Sequence, residues 1–238
     1  MFYFMLPSIV TYDFILLAAA VIPAVFLMVK VYRSDRLERE SPYMLWSLVR
    51  AGILSSLIAM VAERVLSALL GAAVSDYGLY QVLLYFVVVA FSEEGAKYFL
   101  LHRTSWNSPE FNCQYDGVVY AVFVSLGFAL WENISYVMHY GFSTAILRAL
   151  TAVPGHTCFG VFMGVFYGIA RKYANHGDLD NSRLYQAMAV VVPAILHGAY
   201  DYIASTQMNR GAFVVFIIVL FAVSYGMVAK HSKQDTYI

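Results

Sequence analysis

The sequence predicts an all-α polytopic membrane bundle with about seven transmembrane helices. Three observations carry that prediction. Of 238 residues, 61% are apolar and 13% are charged, against roughly 25% charged in an average soluble protein. The 15 basic and 15 acidic residues cancel to a formal net charge of zero. The apolar residues gather into seven runs long enough to cross a bilayer, for which about 20 residues suffice. So few charges cannot cover a soluble globule of this length. The balance also excludes a disordered chain and a basic nucleic-acid-binding domain, so no nucleic-acid partner is expected. The two cysteines, Cys113 and Cys158, form no CxxC pair, which excludes a disulfide-stapled module and a zinc ribbon.

The expected spans are 9–31, 42–70, 79–101, 115–138, 142–171, 185–204 and 212–229. No lysine or arginine precedes the first, so it reads as a retained helix and not as a cleaved signal peptide. The second and fifth exceed the needed length, which predicts tilt or a break. Pro154-Gly155 is the expected break in the fifth. Basic loop residues set the orientation. Lys30, Arg33, Arg36, Arg39, Arg103, Arg171, Lys172, Arg183, Lys230 and Lys233 fall on one side, and Arg210 alone on the other. The N-terminus is therefore expected outside and the C-terminus in the cytoplasm. No loop is long enough for a separate domain, so residues 1–238 are expected to form one membrane-embedded domain.

The charges left inside the spans are the informative ones, because an ionisable group at the bilayer centre costs about 2.5–3.5 kcal/mol on insertion scales. With a rise of about 1.5 Å per residue, Glu93, Glu94 and His156 lie about 21 Å below the outer edge, and Glu132 and His197 about 10 Å. These depths allow one shared cavity. In Glu93-Glu94-Gly95-Ala96-Lys97 the lysine reaches either glutamate at helical spacing. One lysine cannot neutralise two adjacent buried carboxylates, so one glutamate is a candidate general base. An interhelical ion-pair network is the other reading. Glu132-Asn133 shares its depth with Arg148, which suits either an ion pair or a cavity wall. His156 follows Pro154-Gly155, and irregular backbone in a membrane is tolerated where it lines a cavity. His197 and Asp201 are four apart and share a helix face, as a tautomer-fixing pair or as metal ligands. Arg50 and Asp116 are expected near the cytoplasmic ends, snorkelling or pairing with Lys97. Glu63-Arg64 is expected at an interface, and Asp13 near the outer boundary. HExxH, GxSG and GxGD motifs are absent, which argues against serine, HExxH-zinc and presenilin-type aspartyl intramembrane proteases.

Four segments in this order resemble the PrsW family of intramembrane proteases, itself similar to the larger group containing the type II CAAX prenyl proteases. They are Glu93-Glu94-x-x-Lys97, then Asp116-Gly117-Val118-Val119-Tyr120 running into Gly127-Phe128-x-x-x-Glu132-Asn133-Ile134. Arg148-Ala149-Leu150 with Val153-Pro154-Gly155-His156 follows, and last comes His197-Gly198-x-Tyr200-Asp201. They span about 90–202. The resemblance implies proteolysis of a single-pass membrane protein, an anti-sigma factor in the family's best-known role, as the first cut of a stress-response cascade. It implies Glu93, Glu94, His156, His197 and Asp201 as catalytic residues, with Lys97, Glu132, Asn133 and Arg148 supporting the cavity. A glutamate-activated water with no cofactor is the expected mechanism. The alternatives are a zinc enzyme ligated by His156, His197 and Asp201, and a non-catalytic membrane scaffold.

Overall fold

A computed structural model describes residues 5–205 and 210–238, with the backbone alone for 5–13. The Asp13 side chain lies outside the described residues. Among the described residues nine α-helices and one π-helical segment follow one another: α1 Met5–Ser34, α2 Pro42–Ala73, α3 Tyr77–Leu83, the π segment Leu84–Val89, α4 Ala90–Ser105, α5 Asp116–Tyr140, α6 Phe142–Leu150, α7 Ala152–Asn175, α8 Leu179–Ser205 and α9 Arg210–Lys233. They make seven helical stretches long and apolar enough to span a membrane.

Local chemistry sets most boundaries. Ser41 caps α2 by accepting from the Met44 amide at 3.1 Å, with Pro42 at the first helical position, where its missing N–H costs nothing. Asp76 caps α3 through the Leu79 amide at 2.8 Å. Gly141, at φ 82°, turns the chain between α5 and α6, a conformation that glycine reaches without a Cβ penalty.

Two expectations about long spans resolve differently. The second is unbroken, and its 32 residues measure about 48 Å. This exceeds a hydrocarbon core of about 30 Å, so α2 crosses at a tilt or extends past it. The fifth does break, but at Thr151 (φ −124°, ψ −66°) between α6 and α7, three residues before the expected Pro154-Gly155. Proline has no N–H for the carbonyl four residues back, which here belongs to Leu150, the last residue of α6. Pro154 thus sits in the first turn of α7, where it is tolerated. The π turn was not anticipated. It interrupts the third span just before the Glu93-Glu94 pair, and such turns are frequent near functional sites.

Helix α5 is the axis of the bundle, packed on α1, α2 and α7. Every residue from Asp116 to Ala129 is buried. Small residues permit the close approach, as in other membrane helix pairs. A Cβ on Gly117 would stand 2.6 Å from the Gly168 nitrogen of α7, and one on Gly52 of α2 would stand 2.7 Å from the Phe128 nitrogen. The apolar pattern is inverted relative to a soluble protein. Phe14, Ile22 and Phe26 of α1 and Val215, Ile218 and Val219 of α9 are exposed, while Glu94, Lys97 and Asn133 are fully buried. A lipid-facing periphery around a polar interior is what a bilayer solvent selects.

At the far end from Glu132 the C-terminal segment pairs with the loop before α5. Gln114 N donates to Thr236 O at 3.0 Å and Ile238 N to Asn112 O at 2.8 Å, and Tyr115 N donates to Asp235 Oδ1 at 2.8 Å.

Candidate active site

Helical spacing puts Glu93, Glu94 and Lys97 on neighbouring faces of α4. Lys97 has no exposure and cannot snorkel to water. Its ammonium instead meets Glu94 Oε1 at 2.7 Å and Glu93 Oε2 at 3.3 Å. It also meets His156 Nδ1 from α7 at 3.2 Å, over the Phe128 ring of α5 at 4.0 Å from its centroid. One cation thus ties three helices together, as the spacing suggested for its own helix.

The lysine also determines the state of His156. An ammonium has donors and no acceptor, so His156 Nδ1 must accept. The proton then sits on Nε2, which donates to Glu132 Oε2 at 2.9 Å. The same oxygen, Glu132 Oε2, lies 3.0 Å from Arg148 Nη2. Arg148 stacks on the Tyr136 ring at 4.1 Å and donates from Nε to Asn133 Oδ1 at 2.9 Å. Asn133 completes the set by donating to Ala20 O of α1 at 2.8 Å.

His197 comes in from α8. Its Nδ1 lies 2.8 Å from Glu94 Oε1, and its Nε2 lies 3.4 Å from Asp201 Oδ2 and 3.8 Å from Glu93 Oε2. Both ring nitrogens therefore face carboxylates. The ring stacks on Phe159 with centroids 4.7 Å apart, which fixes its plane. Gly198 makes this approach possible, because a Cβ there would stand 2.7 Å from the Phe86 ring of the π segment.

These groups border a cavity of about 700 Å³. Glu93, Glu132, Arg148, His156, His197 and Asp201 line it, together with Ser56, Tyr85, Tyr136, Tyr200 and Phe213. The four separated segments thus converge on one chamber. Not all of them reach its wall. Glu94 and Lys97 stand behind Glu93, and Asn133 turns away to join Arg148 to α1. Of the two readings open for Glu132-Asn133, the ion pair with Arg148 forms, and only Glu132 also reaches the wall, because the two residues are adjacent on a helix and point about 100° apart.

Two sequence expectations need correction. Glu63, read as interfacial, lines the cavity. Its signal was present in Ser56, Met60 and Glu63, which share a face of α2 at steps of four and three. Asp116 does not pair with Lys97. Its Oδ2 accepts from the backbone amides of Asn112 at 3.0 Å and Cys113 at 2.6 Å, and it opens the helix whose other end carries Glu132. Arg50 donates to Ser47 Oγ at 3.2 Å.

Removing one partner of a buried ion pair leaves an uncompensated charge, at a cost of about 3–5 kcal/mol. Lys97→Met is therefore expected to destabilise the protein by about that amount. Thermal unfolding in detergent, read by tryptophan fluorescence, measures it. An unchanged midpoint would mean that the lysine is not the link between α4 and α7.

Comparison with known proteins agrees with this geometry. The model of the PrsW family intramembrane metalloprotease matches residues 40–227, a wider range than the four motifs. Protease PrsW of Bacillus subtilis (strain 168) is 32% identical over 82% of this chain and 85% of its own length. Protease PrsW of Geobacillus kaustophilus (strain HTA426) is 32% identical over 87% and 88%. That of Oceanobacillus iheyensis is 31% identical over 94% and 98%. No solved structure matches.

The family's description implies a metal. Glu93, Glu94 and His156 are the donor set nearest to one, with ligand atoms within 4.8 Å of one another. This set includes neither His197 nor Asp201. The Lys97 ammonium contacts all three of its members, and the His156 Nδ1 lone pair is directed at it. The set as arranged holds an ammonium, and a divalent ion sharing these donors would face that positive charge. It does not fit a metal with Lys97 in position. The family match across most of the chain, the seven spans and the buried polar chamber agree: the chain belongs to the PrsW family and is an intramembrane protease, a multi-pass protein of the bacterial cell membrane type.

Proposed function

We propose that this protease cleaves a single-pass membrane protein, of the anti-sigma-factor type that the family resemblance implies, with Glu93 as the base that activates water. The observation that carries this reading is the asymmetry of the glutamate pair. Glu93 borders the cavity beside His197 Nε2, whereas Glu94 is enclosed by Lys97 and His197 Nδ1. A chamber of this volume falls in the range of ligand sites, about 300–1,000 Å³, and admits a short extended peptide segment.

In the proposed reaction Glu93 takes a proton from water as its oxygen attacks the scissile carbonyl carbon. The carbonyl becomes an oxyanion that accepts from His197 Nε2–H, the donor the cavity presents closest to Glu93. The proton on Glu93 then passes to the amide nitrogen, the C–N bond breaks, and a carboxyl and an amine leave. Asp201 and Glu94 orient His197 from opposite ring nitrogens. Lys97 balances Glu94, and the Arg148–Glu132–His156 chain braces the opposite wall. With the N-terminus outside, as the basic loops suggest, the chamber runs from Glu93 and His156 in the middle of the bilayer toward Ser205 and Phe213 on its outer side.

The test is cleavage of a single-pass anti-sigma factor by the purified protein in proteoliposomes. Cleavage is expected to survive a strong zinc chelator and to fall by about 10²–10³-fold in His197→Ala, the loss typical of an oxyanion donor. Loss in chelator with recovery on added zinc would replace this mechanism by a metal one. Undiminished cleavage by His197→Ala would remove the proposed oxyanion donor.

A further inference from the structure

A second buried cluster of carboxylates lies at the other end of α5. Asp35 follows α1, Glu40 precedes α2 and Asp116 opens α5. One oxygen of each lies within 4.8 Å of the others, and the three residues are 5%, 6% and 1% exposed. Glu132 of the protease chamber is 16 residues further along α5, about 24 Å at the helical rise, so the two clusters are separate.

The cluster has too few donors for its acceptors. Glu40 Oε2 accepts from Tyr120 Oη at 2.7 Å, and Asp116 Oδ2 takes the two backbone amides described above. Both oxygens of Asp35 and Oδ1 of Asp116 are buried without a hydrogen-bond partner, as are neighbouring Asn112 Oδ1 and Asp235 Oδ2. The amides of Arg36, Leu37 and Glu38 lie close to Asp35, but none completes a hydrogen bond to it. Among the described residues, no lysine or arginine nitrogen comes within 4.0 Å of Asp35, Glu40 or Asp116. Burial, and then the charge of Asp116, push Glu40 up to about 9. Burial and then Asp235 push Asp35 up to about 6. Several unpaired buried acceptors of one sign call for a compensating cation.

We propose that Asp35, Glu40 and Asp116 bind one hard divalent cation of the Mg²⁺ or Ca²⁺ class. All converging atoms are carboxylate oxygens, with no imidazole or thiolate among them, and this donor set selects hard ions over zinc. The unpaired oxygens of Asn112 and Asp235 are candidate additional ligands. The ion staples three segments distant in sequence: the α1–α2 connection, the start of α5 and, through Asp235, the C-terminal segment. Its role is to hold the end of the axial helix from which Glu132 and Asn133 are displayed.

The test uses the full chain in detergent, stripped with a chelator, then incubated with Mg²⁺ or Ca²⁺ and separated from unbound ion. Elemental analysis is expected to find about one ion per chain, with a melting temperature raised by several degrees, as for any ligand of the folded state alone. Glu40→Gln keeps an acceptor for Tyr120 and is expected to fold but to lose both the ion and the thermal response. Asp35→Asn is a second such variant, and Glu93→Gln is expected to retain both. No bound ion and no thermal response in folded wild-type protein would overturn the proposal, leaving the carboxyls neutralised by protons. So would ion binding unchanged in Glu40→Gln and Asp35→Asn, or abolished by Glu93→Gln.

Discussion

Glu93→Gln is expected to lower the cleavage rate by about 10²–10⁴-fold, the range for removal of a general base, without unfolding the protein. Glutamine keeps the shape of the side chain and can still accept from Lys97 at 3.3 Å, but it cannot take a proton from water. Glu94→Gln is expected to fail differently. Its Oε1 lies 2.7 Å from the Lys97 ammonium and 2.8 Å from His197 Nδ1. Neutralising it therefore leaves the buried Lys97 poorly compensated and His197 less firmly oriented. Cleavage falls and the unfolding midpoint falls with it. Single-turnover cleavage beside thermal unfolding separates the two. An active Glu93→Gln next to an inactive Glu94→Gln of wild-type stability would exchange the roles of the pair.

The second large effect concerns the axis of the bundle. Gly52→Val is expected to cost about 3 kcal/mol or more, the upper end for overpacked cores. It should sharply reduce the yield of folded protein. A Cβ there collides with the Val124 carbonyl oxygen and stands 2.7 Å from the Phe128 nitrogen and 2.8 Å from Gly127 Cα. All three are backbone atoms of α5, and no rotamer change relieves them. The helices must separate, and in lipid no hydrophobic gain offsets the lost packing. Gly226→Val on α9 is the control, because nothing lies within 4 Å of a Cβ there. Equal melting temperatures for the two variants would show that the α2–α5 contact does not set stability.

Much of the site was legible because charge is so rare in this chain. Glu93, Glu132, His156, His197 and Asp201 were singled out by the cost of placing them in apolar runs, and all five border one chamber. Glu63 obeyed the same rule. Its position near the end of a long helix made an interfacial role look sufficient. Which glutamate faces the chamber was not legible, because adjacent residues differ only by rotation about an axis whose orientation neighbouring helices decide. Asn133 shows the same limit, since its partners, Ala20 and Arg148, lie 113 and 15 residues away.

The sequence by itself determined the class of solvent, the number of spans and the short list of residues able to do chemistry. Those follow from transfer free energies and helical spacing, which act locally. Only the tertiary structure decided that the Lys97 ammonium stands among Glu93, Glu94 and His156. It alone decided that His156 accepts on Nδ1, that Asp116 joins Asp35 and Glu40 at the far end, and that the fifth span breaks at Thr151. Each of these depends on which faces of separate helices meet. That choice is made by glycine-mediated backbone packing around α5, summed over contacts distant in the chain.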